Sequence, residues 1–234
     1  MPAFNAQATV RKTFDDIPHE IVDEIILVDD NSTDGTAEIA YSLGINVIRH
    51  GKNIGYGANQ KTCYQEALKN GADVIVMLHP DYQYDSTLVP ALASMVAYSN
   101  YDCAIASRML LKSAIEGKMP KYKYFANKFL TFFQNLLLNK NLSEYHSGYR
   151  AFSREVLENI DFMNFSDDFI FDNQMLASIC YKNYSIGEIS CPTRYFKHSS
   201  SINFSRSVVY GLGVLRISIQ YVLAKLGIKK GIFK

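Results

Sequence analysis

Residues 25–30, Ile-Ile-Leu-Val-Asp-Asp, constrain this chain more than any other stretch, because an aliphatic run ends there in two adjacent carboxylates. A continuous apolar run is the pattern of a parallel strand covered on both faces. The segment from Asp23 to Val28 is therefore read as a buried strand, and Asn31, Ser32 and Thr33 as cap chemistry for a helix over Thr36 to Leu43. Capping accounts for those three polar residues. It does not account for Asp29 beside Asp30, since neighbouring carboxylates repel unless a cation, a sugar hydroxyl or a base edge engages one of them. Open α/β sheets bind ligands at the carboxyl ends of their strands, so the pair predicts a binding edge.

Strands and helices alternate from there. Gly44 closes the helix, Ile45 to Arg49 reads as a second strand, and the loop His50-Gly51-Lys52-Asn53-Ile54-Gly55-Tyr56-Gly57 opens a helix through about Asn70. Such a loop serves either as a close backbone approach to an anion at a helix N-terminus or as a plain turn. A third run, Asp73 to Leu78, ends in His79-Pro80-Asp81-Tyr82-Gln83 and delivers polar groups to the same edge. A helix over Thr87 to Ser99 and a strand over Asp102 to Ala106 follow, the strand ending at Ser107-Arg108.

A basic loop carries Lys112, Lys118, Lys121 and Lys123 and leads into a helix with Phe125, Phe129, Phe132 and Leu136 on one face, a stripe whose expected place is the core. Ser147 to Phe152 and Asp167 to Asp172 each precede a helix, and Ile186 to Ile189 reads as a strand. The polar loop Cys191 to Asn203 contains Arg194, Lys197 and His198. Between Ser207 and Leu226 apolar residues recur at helical spacing, interrupted by Arg216 and Lys225. This tail is expected either to dock on the body or to lie in a membrane surface; Arg216 near its middle argues against its spanning a bilayer.

With 234 residues the chain holds one α/β domain over 1–204 and an amphipathic tail over 205–234. A net charge of +1 gives no bulk attraction to nucleic acid, so an anionic partner must be met locally. Cys63, Cys103, Cys180 and Cys191 lie far apart with no C-x-x-C pair, which argues against a zinc ribbon and a disulfide framework and suits a reducing cytoplasm. The opening residues carry no signal-peptide pattern.

His79, Asp81 and Gln83 alternate with Pro80 and Tyr82, so in an extended chain their side chains would project to one side. An imidazole, a carboxylate and an amide oxygen there could hold Mn2+ or Mg2+; the alternative is a polar turn broken at Pro80.

The order V-D-D-N-S-T-D-G-T, N-x-G-x-G-A, H-x-D-x-Q, S-R and S-G-Y-R-A-F resembles a family-two glycosyltransferase of GT-A fold over Pro2 to about Phe204. Within that family it resembles the branch of dolichyl-phosphate mannose synthases and polyprenyl-phosphate sugar transferases. The resemblance implies a Rossmann-like, mixed and mostly parallel sheet flanked by helices. It also implies inverting transfer from a nucleotide-diphosphate sugar, UDP- or GDP-linked, to a polyprenyl phosphate or a glycan intermediate.

By resemblance, Pro2, Ala3 and Phe4 would line the nucleoside pocket, with Asp30 on the base or ribose and Asp29 in support. Lys52, Asn53 and Gly57 would belong to the donor side. Arg108 and Arg150 would face a diphosphate or an acceptor phosphate. His79, Asp81, Gln83 and His198 would serve the cation or a phosphate. Asp172, with Asp168 as rival, would be the base. The family pattern implies a peripheral enzyme at the cytoplasmic membrane face.

Two departures stand out. His79 replaces the first acid of the D-x-D motif, and the hydrophobic strand that normally precedes P-A-F-N is missing, which predicts a destabilised or inactive protein if Met1 is the true start. A sugar-nucleotide nucleotidyltransferase would want a glycine-rich phosphate loop at the first strand, which is absent. A non-catalytic nucleotide-sugar-binding protein is the remaining alternative.

Overall fold

The computed structural model describes residues 1–117, 119–194, 204–228 and 231–233. Its strands are β1 (Pro2–Ala3), β2 (Ile26–Asp29), β3 (Asn46–Arg49), β4 (Val74–Met77), β5 (Cys103–Ser107), β6 (Arg150–Ser153) and β7 (Ile186–Ser190). Its α-helices are α1 (Val10–Asp15), α2 (Thr36–Ser42), α3 (Tyr56–Lys69), α4 (Val89–Ala97), α5 (Ser113–Glu116), α6 (Lys121–Leu138), α7 (Arg154–Asn159), α8 (Phe171–Tyr181) and α9 (Phe204–Lys225).

The strands pair in two groups, β1-β2-β3, all parallel, and β4-β6-β5-β7, in which β6 runs antiparallel to both neighbours and β7 parallel to β5. Common layers cover both groups. One face packs Leu27, Leu78, Ala104 and Ala151 with residues of α1, α2 and α4; the other packs Val28, Met77, Ile105 and Phe152 with α3, α7, α8 and the inner side of α9.

The hydrophobic strand expected to be missing before P-A-F-N is represented only by the two residues of β1. Pro2–Ala3 pairs with β2, Val28 N–H donates to the Met1 carbonyl at 2.9 Å, and Asp30 N–H donates to the Ala3 carbonyl at 2.9 Å. The strand is short and does not pair with β4, which is why the strands fall into two groups.

Two further segments differ in part from expectation. The segment around Arg150 precedes the short helix α7 as expected and is in addition a central strand. The Phe stripe of α6 is outside the core: Phe125, Phe129, Phe132 and Leu136 are between 61% and 68% exposed. The buried side of α6 is instead largely polar, with Asn127 donating to Glu144 Oε1 at 2.7 Å and Gln134 exchanging amide hydrogen bonds with Asn173 of α8 at 3.0 and 3.3 Å. A polar face can turn inward when its groups find partners, and here that leaves the aromatics in solvent.

The tail docks on the body, with Val214, Ile217, Tyr221 and Ala224 buried, while Val208, Val209, Leu212 and Ile219 stay exposed. By length and mean hydropathy alone (1.4), Ser205–Lys225 is also apolar enough to cross a membrane, with 28% of its apolar window buried against the body.

Candidate active site

A cavity of about 220 Å3 opens at the carboxyl end of β4. It is walled by the 79–84 segment, Tyr56 at the start of α3, Arg108 after β5, α6, the 146–148 segment, Asp172 in the first turn of α8, and Ser207 and Tyr210 of α9. His79, Asp81 and Gln83 of one motif, with Arg108 and Asp172 from two others, therefore line one cavity.

Residues 79–83 do not run extended as expected. Tyr82 has φ +60° and Asp81 Oδ1 accepts from the Gln83 N–H at 3.1 Å, so the aspartate closes a turn on its own backbone after Pro80. All three predicted ligands still face the cavity. His79 Nε2 lies 3.1 Å from the Tyr56 hydroxyl. Burial lowers the His79 pKa, against the opposing pull of Asp81 and Asp172.

Asp172 is nearly buried, its Oδ2 accepting from Tyr56 at 2.6 Å and its Oδ1 from Gln60 Nε2 at 3.1 Å. Burial, reinforced by the Asp172 charge, raises the Tyr56 pKa well above the ordinary tyrosine value, so the phenol stays protonated. Asp168, the rival, is exposed, bonds the neighbouring Phe169 N–H, and lies off the cavity.

Arg108 pairs with Glu144, donating from Nε at 2.9 Å and through a second, closer contact from Nη2, and its Nη2 also reaches the His146 carbonyl at 3.0 Å. Burial and the nearby Arg108 charge lower the pKa of Lys123, the second cation of the wall. Glu144 is buried, which alone would raise its pKa, yet the charge and hydrogen bonds of Arg108 pull it below the ordinary carboxylate value.

Arg150 corrects the expectation that it faces a phosphate. It is about 1% exposed and donates to three backbone carbonyls: Ser147 at 2.7 Å, Asp172 at 2.6 Å and Tyr145 at 2.9 Å. A guanidinium so engaged is a staple between β6 and α8.

The glycine loop is corrected as well. Gly57 and Ala58 N–H groups donate to the Asp167 carbonyl at 2.7 and 3.3 Å, so a protein backbone rather than an anion occupies this helix start. A Cβ on Gly57 would stand 2.4 Å from the Ser166 carbonyl oxygen, and Gly55 adopts φ +107°. Lys52 and Asn53 are exposed and off the cavity.

Asp30 spends its carboxylate on the same loop, accepting from Ile54 and Gly55 N–H at 2.9 and 3.0 Å, with His50 Nδ1 2.8 Å away. Asp29 is fully buried against the Ser32 N–H and hydroxyl, with Arg49 Nε 3.2 Å from Oδ2. Pro2 and Ala3 are buried and Phe4 is 53% exposed at the end of β1. His198 lies outside the described residues.

Sequence reasoning missed Tyr56, Gln60, Glu144, His146 and Tyr210. The signal for Tyr56 was its place between two glycines, and for the 146–148 wall it was Gly148, where a Cβ would stand 2.6 Å from His79 Nε2 and 3.0 Å from the Tyr56 hydroxyl.

The profile of the family described as "Glycosyl transferase family 2" matches residues 1–161, more than half of the chain. This chain belongs to glycosyl transferase family 2. An uncharacterised protein of Methanocaldococcus jannaschii is 30% identical over 201 residues, covering 86% of this chain and 82% of the relative. A UDP-N-acetylglucosamine–dolichyl-phosphate N-acetylglucosaminyltransferase of Methanococcus voltae is 25% identical, covering 85% of this chain and 86% of that enzyme. The low-salt glycan biosynthesis hexosyltransferase Agl6 of Haloferax volcanii is 33% identical over 168 residues, 69% of this chain and 39% of Agl6. These relatives bear out the likeness to the polyprenyl-phosphate sugar transferase branch.

Among solved structures, glucosyl-3-phosphoglycerate synthase of Mycobacterium tuberculosis in complex with UDP superimposes with TM-score 0.69 at 19% identity, covering 98% of this chain and 79% of that one. The same enzyme with Mn2+ and UDP-glucose gives 0.68. At that identity the likeness is one of fold, and this glycosyltransferase has the GT-A fold.

Proposed function

We propose that this glycosyltransferase moves a sugar, with inversion, from a UDP- or GDP-linked donor to a polyprenyl phosphate or membrane-borne glycan intermediate at the cytoplasmic face of a membrane. The observation that carries this reading is the one cavity lined by His79, Asp81, Gln83, Arg108 and Asp172. The nucleoside end of the donor would lie over the ends of β1 and β2, against Phe4 and the Asp29–Asp30 edge, and the diphosphate would point toward the cavity.

The donor set fits a divalent cation in part. Among the described residues no three His, Cys, Asp or Glu side chains converge as a metal centre; an ion held by His79, Asp81 and the amide oxygen of Gln83 would need diphosphate oxygens to complete its shell. Mn2+ or Mg2+ there would neutralise charge on the departing nucleotide. Arg108 and Lys123 offer positive charge to the acceptor side, and Tyr56 and Gln60 fix both oxygens of Asp172. An acceptor hydroxyl would pass its proton to Asp172; a phosphate acceptor attacks without a base. Phe125, Phe129 and Phe132 of α6 and Val208, Val209 and Leu212 of α9 are exposed on two helices that pack together and also line the cavity; apolar residues there would suit a bilayer from which a lipid acceptor would enter.

Calorimetric titration with UDP and GDP, each with and without Mn2+, tests the donor side; the expected result is cation-dependent binding of one nucleotide, and no binding to folded protein would overturn the reading. With the donor known, Asp172→Asn is expected to lower transfer to a hydroxyl acceptor by about 10²–10⁴-fold with donor binding retained.

A further inference from the structure

No motif assigned a role to Tyr56, yet its ring is stacked between His79, with centroids 5.3 Å apart and planes within 10°, and Phe169, with centroids 4.6 Å apart. Its hydroxyl lies 2.6 Å from Asp172 Oδ2 and 3.1 Å from His79 Nε2. A phenol has one proton to donate, an ionised carboxylate only accepts, and an imidazole nitrogen does either according to its tautomer. The short contact to the carboxylate takes the phenol proton. The proton between Tyr56 and His79 must then sit on His79 Nε2, which leaves the lone pair of the neutral ring on Nδ1. Among the described residues Nδ1 has no hydrogen-bond partner. Gly148 packs its backbone against this junction, where a side chain would collide with both rings' polar atoms.

We propose that Tyr56 is a positioning residue that sets the His79 tautomer and one oxygen of Asp172 together, so that Nδ1 is the nitrogen offered to a divalent cation. The role rests on the reading of His79 as a cation ligand and Asp172 as the base. One hydroxyl thus links the donor side of the cavity to the acceptor side. Partners of this kind, which orient a ligand without touching the metal, typically cost about 10–100-fold in metal affinity when removed.

The test is a two-bond 1H–15N spectrum of histidine-labelled full-length protein without metal, recorded well above the imidazole titration range, with the His79 signals assigned by their loss in His79→Asn. The expected wild-type pattern is that of a neutral ring protonated on Nε2. In Tyr56→Phe, which keeps the stacked ring, the pattern should move toward mixed tautomers, and Mn2+ affinity in the presence of UDP should fall about 10–100-fold. A wild-type ring protonated on Nδ1, or a tautomer unmoved by Tyr56→Phe, would overturn the assignment. Should Tyr56→Phe fail to fold, the wild-type spectrum alone still decides. A tautomer that moves on substitution while neither protein binds Mn2+ supports the Tyr56 assignment and overturns instead the cation reading on which its purpose rests.

Discussion

Arg150→Lys separates a structural guanidinium from a substrate-binding one. In the folded protein the Arg150 fork satisfies the carbonyls of Ser147, Asp172 and Tyr145 at 2.6–2.9 Å, in a site closed to solvent. A lysine ammonium is a compact group on a flexible stem without the planar fork, so it cannot serve all three; the Asp172 carbonyl keeps its helix bond in α8, and one or both of the Ser147 and Tyr145 carbonyls are left bare. Each buried carbonyl left unsatisfied costs about 1–3 kcal/mol, so about 1–6 kcal/mol in all, against the roughly 5–15 kcal/mol that holds a domain folded. For a chain of this size each kcal/mol moves the melting temperature by about 2–4 °C, so a fall of about 2–24 °C is expected. Thermal melting by circular dichroism, with nucleotide titration on the same samples, measures both consequences. A melting temperature unchanged to within about 2 °C, combined with lost nucleotide binding, would refute the staple and return Arg150 to the substrate.

Three further outcomes are expected. Gly148→Ala sets a Cβ 2.6 Å from His79 Nε2 and should cost about 1–3 kcal/mol of stability by overpacking; wild-type melting would show that the two rings yield freely. Burial lowers the His146 pKa to about 4, so between that value and the ordinary imidazole value the unfolded chain binds the extra proton. Stability should therefore fall as pH drops from about 6.5 toward 4, and His146→Asn should flatten that decline; an unchanged slope would assign it to other groups. The double variant Phe129→Ser/Phe132→Ser should weaken flotation with anionic liposomes by roughly tenfold or more while leaving melting intact, because both rings are exposed; equal flotation would remove α6 from the membrane surface.

The strands that read directly from the sequence were those whose own residues carry the pattern. The run before Asp29 and the run before His79 are aliphatic because both faces of the sheet are covered there. β6 was illegible for the opposite reason: Arg150 reads as solvent-facing until the three carbonyls that receive it are known, and those belong to residues 145, 147 and 172. The stripe on α6 has the same cause. Periodicity shows that Phe125, Phe129 and Phe132 share a face, but which face turns inward depended on Glu144 and Asn173, which satisfy the polar side. At the site, acids and bases were visible as types at strand ends. The phenol of Tyr56 was not, because its role arises only where α3 meets α8.

That meeting has a consequence for how the molecule is made. The bonds that define the Asp172 side of the cavity join residues 116 and 112 positions apart, and Lys61 reaches the Phe165 carbonyl across 104. Contacts of such long range form only after the entropy of closing the intervening chain has been met, and they come late in folding. A ribosome that has released only residues 1–161 has delivered every residue of the matched family segment and still no Asp172. The Asp172 side of the cavity can form only after α8 has been made and meets the start of α3, and Ser207 and Tyr210 of α9 complete the wall later still.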